Sequence, residues 1–349
     1  MEKLAVGLLV KRVSCHASAR AIAFQRRSPR LRLVAFIAVL LVALQGQSAA
    51  TGTLPPLSPS STLVVLLGSP GEGSGPTRVG FVSINGGGVR LGPVLPTGDL
   101  LSISVSPNGE SLASVILSAP SSASRLETLN LRNGRAATLA TASAANSAQV
   151  SHLPSSVAWG PNNQLAVADL SGNDIQILSP TGHVVRSISI NFAGSPFDGA
   201  GVEDWSPNAQ QLLLSGINHA SANAGIGLYV LDLGTRLVRG LGDDDAVSAA
   251  QWSPNGRTIA YEQTTDASTM TSVLKTIGIQ APVGRAIAGP AQYGGVAWAP
   301  NGRQLAYLNQ TDSDSPSLVV SSQNGSGART LPSGRVPQGL EVVSLLAWR

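Results

Sequence analysis

Six carboxylates near two neighbouring tryptophans are the best candidates for chemistry in this sequence. Asp198, Glu203 and Asp204 precede Trp205, and Asp243–Asp245 lies in the equivalent stretch before the next tryptophan. The positions before the other tryptophans are mostly small or aliphatic. Carboxylates in a confined site repel one another, and a cation or a basic group relieves that repulsion. The candidate binding patch for a cationic group consists of Asp198, Glu203, Asp204, Asp243, Asp244 and Asp245.

Two interpretations of this patch remain open at the level of sequence. A run such as Asp243–Asp245 is usually a solvated loop, and Asp204 could simply cap a turn. A hard cation such as Ca²⁺ takes six or more oxygen ligands, which these side chains supply only if both loops converge. A basic segment of a partner, for example one that carries an arginine, is therefore the favoured occupant.

Motifs for other chemistry are absent from the sequence. It holds no G-x-S-x-G nucleophile elbow, no H-E-x-x-H zinc motif, no Walker loop and no Rossmann fingerprint. After residue 50, the three histidines His152, His183 and His219 have no metal-ligand spacing, and the single cysteine, Cys15, excludes a disulfide. We therefore expect no catalytic residue, no cofactor and no metal site.

The elements that must position the carboxylates are repeats of one turn. A proline followed by asparagine recurs at Pro107, Pro161, Pro207, Pro254 and Pro300. The residue two before each proline is Val105, Trp159, Trp205, Trp252 or Trp298, and Trp348 fits the same position. The steps between these positions are 54, 46, 47, 46 and 50 residues. Such a period with short strands is typical of propeller blades, and a β-sandwich with several proline turns is the weaker alternative.

The predicted strands close into a ring. Three strands are predicted between Thr62 and Leu95, five four-strand units follow, and one strand, Glu341–Trp348, remains. Three strands plus the last one complete a sixth blade, which removes the open edges of the first and last units. The predicted fold is all-β: a six-bladed β-propeller of four-stranded blades over residues 62–349, closed by pairing of the N- and C-terminal strands.

The basic charge of the chain is confined to its N-terminal part. Residues 1–50 hold eight Lys or Arg and one acid, so the remainder holds 15 bases against 18 acids. The main domain lacks the basic surplus that neutralises phosphates, and we expect no nucleic-acid partner.

The first 50 residues have the pattern of an export signal. The apolar run Leu33–Leu44 follows a basic segment and precedes the small residues Ser48–Ala50. Twelve apolar residues are short of the roughly 20 that span a bilayer, so a permanent anchor and a buried helix are the weaker alternatives. We expect a cleaved signal peptide over residues 1–50, a Pro- and Ser-rich linker over residues 51–61, and a periplasmic, cell-envelope or secreted domain.

The repeat units resemble the WD-like repeats of TolB-type six-bladed propellers. The resemblance rests on the Trp-Ser-Pro-Asn-Gly units and the strands after them, such as Thr258–Tyr261, and covers about residues 62–349. The family pattern has Asp where this chain has Asn108, Asn255 and Asn301. Asn163 and Ala209 replace its glycine, and Val105 its aromatic residue.

The resemblance implies an exported, non-catalytic module that binds a protein. An enzyme acting on a glycan or a small polar substrate in the central channel is the alternative. We expect a monomer with an unidentified protein partner, which contacts a membrane only through its N-terminal segment if that segment is not cleaved.

Overall fold

The structure is a computed structural model that describes most of the chain after residue 60. The described residues are 61–69, 77–85, 88–118, 123–142, 154–169, 174–190, 197–218, 226–242, 246–280, 283–310, 316–332 and 336–349. The expected signal segment, residues 51–60 of the expected linker, Cys15, His152, His219 and Asp243–Asp245 lie outside them.

The described strands form six four-stranded antiparallel sheets, which we number as blades from the N-terminus. Blade 1 consists of β24 (Glu341–Trp348), β1 (Thr62–Gly68), β2 (Arg78–Ser83) and β3 (Arg90–Val94). Blade 2 consists of β4 (Asp99–Val105), β5 (Ser111–Ser118), β6 (Ala123–Asn130) and β7 (Ala136–Ala142). Blade 3 consists of β8 (Pro154–Trp159), β9 (Leu165–Asp169), β10 (Asp174–Leu178) and β11 (Val184–Ser189).

The remaining blades follow the same order from the inner strand outward. Blade 4 consists of β12 (Phe197–Trp205), β13 (Gln211–Asn218), β14 (Ile226–Asp232) and β15 (Val238–Gly240). Blade 5 consists of β16 (Val247–Trp252), β17 (Thr258–Asp266), β18 (Thr271–Gly278) and β19 (Arg285–Ala291). Blade 6 consists of β20 (Tyr293–Trp298), β21 (Gln304–Asn309), β22 (Ser317–Ser322) and β23 (Arg329–Thr330). The predicted six-bladed propeller is confirmed.

The last strand closes the ring, as the sequence predicts. β24 pairs antiparallel with β1, with Leu63 opposite Trp348 and Leu67 opposite Val342. The pairing extends one residue beyond Trp348, because Thr62 N donates to Arg349 O at 2.6 Å and Arg349 N donates to Thr62 O at 2.7 Å. The two ends of the propeller are therefore neighbours in one sheet.

Each proline turn is held by its own side chains. In blade 5, Gly256 N donates to Ser253 O at 2.9 Å, Ser253 Oγ donates to Asn255 Oδ1 at 2.8 Å, and Thr258 N donates to Ser253 Oγ at 2.9 Å. Gly256 has a positive φ of 68°. Where the sequence departs from glycine, Asn163 and Ala209 adopt the same region, with φ of 61° and 58°. The turn geometry thus persists at a conformational cost, since a side chain disfavours this region.

The apolar core is divided into six clusters, one at each contact between successive blades. The repeat tryptophan of each later blade packs onto the blade before it, for example Trp205 with Ala158 and Ile175 of blade 3. All five tryptophans are buried, with 3–8% of their surface exposed. Between blades 1 and 2, Val105 replaces the tryptophan, and Phe81 of blade 1 belongs to the same cluster. Every blade therefore depends on its neighbours for burial of its apolar surface.

The ring has two faces that differ in their connections. In an antiparallel meander, the turns from first to second strand and from third to fourth strand lie on the same face. We call it the turn face, because it carries the proline turns. The opposite loop face carries the connections from second to third strand and from each blade to the next. Thr62 and Arg349 lie on the turn face, where β1 begins and β24 ends.

Replacing Trp348 tests the closure. Trp348 is 3% exposed and packs in the cluster between blades 6 and 1. Trp348→Ala should therefore lower the free energy of unfolding by about 3–5 kcal/mol. Deletion of residues 342–349 should leave the inner edge of β1 unpaired and give aggregated protein. Chemical denaturation measures the first effect, and Val283→Ala, at an exposed residue, is the control. A truncated chain that melts at the temperature of the intact one would contradict closure by β24.

Candidate functional site

In three blades, the residue directly before the repeat position (Val105, Trp205 or Trp252) is polar and links the inner strand to that of the next blade. Ser104 Oγ accepts a hydrogen bond from Trp159 N at 2.9 Å, and Gln251 Oε1 accepts one from Trp298 N at 2.8 Å. Asp204 Oδ2 accepts the corresponding bond from Trp252 N at 2.8 Å. A polar side chain at this position therefore satisfies a backbone N–H of the next blade. Asp204 is the member of this trio that can change its charge.

Asp204 combines this link with an unusual electrostatic environment. Its Oδ1 accepts a second backbone bond, from Trp205 N at 2.8 Å. Asp204 is partly exposed, but it lies on the inner strand and is surrounded by the six blades. Burial raises the pKa of Asp204 to about 7, although the two backbone hydrogen bonds and the charge of Arg349 lower it. Asp204 therefore titrates near neutral pH.

Blade 1 has no proline turn, and Arg349 occupies the position that the turn proline has in other blades. A Cβ on Gly256 would lie 3.6 Å from Pro207 Cδ of the preceding blade, and a Cβ on Gly302 would lie 3.7 Å from Pro254 Cδ. At Gly109 the corresponding neighbour is Arg349 Cγ, at 3.4 Å. The stem of Arg349 thus fills the place that a proline takes elsewhere.

The charge of Arg349 acts on the titrating carboxylate. Arg349 belongs to blade 1 and Asp204 to blade 4, which lie opposite each other in a ring of six. Burial lowers the pKa of Arg349, and the charge of Asp204 raises it. Its Nε is buried and forms no hydrogen bond within the described part of the chain. Opposite charges therefore attract each other across the turn-face end of the channel.

Glu203 occupies a bulge beside Asp204. Val202 pairs with Leu214 and Asp204 with Leu213, so Glu203 has no partner in the register. Its Oε1 accepts a hydrogen bond from Ser215 Oγ at 2.6 Å. The bulge places this carboxylate in a polar contact within its own blade.

The structure separates the predicted patch into two ends of the channel. Asp198, expected in a loop, is the second residue of β12, opposite Ile217 at the loop face. Asp204 lies six residues further along the same strand, next to the turn face. Asp243–Asp245 lies outside the described residues, and the chain resumes at Ala246, directly before β16 at the loop face. Asp198 therefore shares its face with the start of β16, whereas Asp204 does not.

Sequence reasoning missed three groups at this site: Ser104, Gln251 and Arg349. A polar residue directly before the repeat position, which is Val105 after Ser104 and Trp252 after Gln251, was the available signal. Arg349 carried no such signal, because its contacts depend on the closure of the ring. A further feature that was missed is a cleft of about 350 Å³ between blades 2 and 3, lined in part by Asp174, whose Oδ1 accepts a bond from Ser189 Oγ at 2.6 Å.

The described part of the chain contains neither a metal-binding cluster nor a membrane-spanning helix. No three of its His, Cys, Asp and Glu side chains lie close enough together to hold a metal ion. It also contains no helix with the length and apolar character needed to cross a bilayer.

The pH dependence of stability should report the environment of Asp204. The pKa of Asp204 is about 7 in the folded state and near 4 in the unfolded state. Between about pH 4 and pH 7 the folded state therefore holds a proton that the unfolded state has lost. Stability is therefore expected to fall as pH rises from about 4 to 7, by up to about 1.4 kcal/mol per pH unit. Asp204→Asn should flatten this slope in denaturation profiles, and Asp232→Asn, on the turn face, should retain it. An unchanged slope in Asp204→Asn would contradict the assignment.

Comparison with known proteins identifies the fold. No protein family and no curated protein matches the chain by sequence. Among solved structures, TolB from Acinetobacter baumannii superimposes with a TM-score of 0.60 at 16% identity, covering 83% of this chain and 66% of TolB. This chain thus spans slightly less than two thirds of that protein. A putative TolB from Agrobacterium tumefaciens gives a TM-score of 0.53 at 14% identity, covering 77% of this chain and 88% of its own.

A third similar structure comes from a different kind of protein. A chain of a nidogen/laminin complex gives a TM-score of 0.55 at 11% identity, covering 82% of this chain and 97% of its own. Identities this low establish the fold and leave the function to the site. The chain has the six-bladed propeller fold seen in TolB, as the turn repeats predict.

Proposed function

We propose that the chain is an exported, non-catalytic propeller that binds a basic segment of a protein partner at the loop-face mouth of its channel. The observation that carries this proposal is the position of acidic residues at the starts of the inner strands. β24 begins with Glu341, β4 begins with Asp99, and Asp198 is the second residue of β12. In the sequence, Asp243–Asp245 precedes the start of β16 by one residue. Among the described residues, three of the six blades thus carry an acidic residue at the start of the inner strand, at the same mouth, and Asp243–Asp245 is next to the start of a fourth in the sequence.

The environment of these groups supports a cationic ligand. Burial raises the pKa of both Asp99 and Glu341, so a positive charge placed among them would relieve an unfavourable ionised state. On the same face, Arg125 is already engaged, with its Nε 3.3 Å from Glu127 Oε1. An arginine or lysine side chain of a partner complements this mouth in charge.

The similar folds are consistent with a binding role. Two of the similar structures are TolB proteins, and the third was solved as a nidogen/laminin complex. Together with the sequence resemblance, they support a protein-binding propeller.

A second function rests on the same raised pKa values. A carboxyl with a raised pKa is suited to general-acid catalysis on a glycan or another small polar substrate. Asp99 and Glu341 begin the inner strands of adjacent blades, as such a pair would require. Turnover of chromogenic glycosides that is lost in Asp99→Asn would favour the enzyme over the binding module.

Neutralising the mouth tests the binding function. In Asp99→Asn/Asp198→Asn/Glu341→Gln, binding of a fluorescent hexa-arginine peptide should weaken by about tenfold, since each rim charge contributes on the order of 0.5 kcal/mol. The matched control is Asp174→Asn/Asp232→Asn/Asp266→Asn, which removes the same charge from second and third strands rather than from the inner strands that form the mouth. Fluorescence anisotropy measures both. Equal weakening in the two triples would show that net charge, rather than the mouth, attracts the peptide.

Export is tested separately. Leu33–Leu44 and the small residues before Thr51 predict cleavage near Thr51. N-terminal sequencing of protein secreted by a bacterial host that expresses residues 1–349 should begin near that residue. Replacing Leu40 and Leu41 with arginine should retain the chain in the cytoplasm. Secreted protein that still begins at Met1 would refute the cleaved signal.

A further inference from the structure

Arginines collect on the turn face, opposite the acidic mouth. Eight of them are exposed and lie in the turns or at the adjoining ends of strands: Arg132, Arg135, Arg236, Arg239, Arg257, Arg285, Arg303 and Arg329. The half-buried Arg90 and Arg349 lie at the same face. The acids described in these turns and strand ends are Glu110, which pairs with Arg132, Asp232, and Asp204 at the end of β12 inside the channel. The turn face is therefore strongly positive, although the net charge of the whole domain is small.

Exposed apolar side chains lie among these arginines. The four most exposed large apolar residues of the described chain are Val283 at 80%, Leu237 at 69%, and Val184 and Val185 at 57% each. All four lie at connections from third to fourth strand, which are on the turn face. Leu237 directly follows Arg236, and Val283 is two residues from Arg285. Apolar and cationic groups thus protrude together.

This combination distinguishes between anionic partners. Basic side chains with protruding apolar groups are suited to a membrane interface, where the charges meet headgroups and the apolar groups enter the acyl boundary. Single-stranded nucleic acid instead favours a groove with aromatic stacking platforms. No aromatic side chain is among the exposed large apolar residues that the structure describes, and all five tryptophans are buried.

The course of the chain favours the same partner. β1 begins at Thr62 on the turn face, so the preceding segment joins the ring there. In the sequence, the 17 residues from 45 to 61 connect Thr62 to the apolar run Leu33–Leu44, which is expected to enter a membrane during export. Because 17 extended residues reach at most about 60 Å, the turn face lies within reach of the membrane that the apolar run engages before cleavage near Thr51.

We propose that the turn face docks on a membrane surface that contains anionic phospholipid headgroups. The arginines bind the phosphates, and Leu237 and Val283 enter the boundary between headgroups and acyl chains. The acidic loop face then points away from the membrane, where the anionic headgroups neither repel it nor compete with it for a basic partner. The docking does not rest on the proposed binding of a basic partner, because it uses residues of the opposite face.

Vesicle sedimentation tests the docking with the chain from Thr51, which contains every described strand and lacks the basic N-terminal part. The chain should bind phosphatidylcholine vesicles that contain phosphatidylglycerol, and added salt should weaken the binding. Arg257→Gln/Arg303→Gln should weaken it on the order of 25-fold, since each basic residue near an anionic surface contributes about fivefold. The matched control is Arg78→Gln/Lys275→Gln, which removes the same charge from the loop-face end and the middle of the sheets and should bind as the unmodified chain does.

The apolar contribution has its own pair of variants. Leu237→Ser/Val283→Ser should weaken vesicle binding, whereas Val94→Ser/Leu101→Ser, at less exposed residues towards the loop face, should not. Thermal melting checks that all variants fold. Equal binding to vesicles of phosphatidylcholine alone, or equal weakening in a variant pair and its control, would overturn the proposal. Binding to duplex DNA or polyglutamate without binding to the anionic vesicles would also overturn the proposal.

Discussion

The pairing of β24 with β1 is the constraint on which the rest of the propeller depends. Apolar surface is buried only between successive blades, so an open ring would expose the two faces at its break. Closure buries both, because β24 contributes Trp348 to the cluster with blade 6 and Ala347 to the cluster with blade 2. A single strand thus completes two of the six contacts, which is why one tryptophan in β24 is expected to contribute so much to the stability.

The inner strands add a polar layer to this packing. Ser104, Asp204 and Gln251 each satisfy a tryptophan N–H of the next blade, so three different side chains fill the same structural role at one repeat position. Only the carboxylate makes the link between its blades sensitive to pH. Arg349 moderates this effect from the opposite side of the ring. A structural link and an electrostatic contact are therefore combined at one residue.

Much of the fold was predictable, because the tryptophans and proline turns recur in phase and local turn chemistry determines where strands end. The closure followed from the unpaired strands left at both ends. The site was less accessible to sequence reasoning. Asp198 and Asp204 are close in sequence, but an extended strand rises about 3.3 Å per residue and carries them to opposite ends of the channel. The contact of Arg349 with the turn at Gly109 joins residues from distant parts of the chain, which no local pattern reveals.

The adjacency of Thr62 and Arg349 has a mechanical consequence. Because they form the terminal pair of an antiparallel ladder, a force that pulls the two ends of the propeller apart acts across this pair first. The hydrogen bonds between β1 and β24 would then break one after another, as in unzipping, rather than sharing the load in shear. Resistance to such a force must come from the apolar clusters on either side of blade 1, and the ring should open there before any other blade separates.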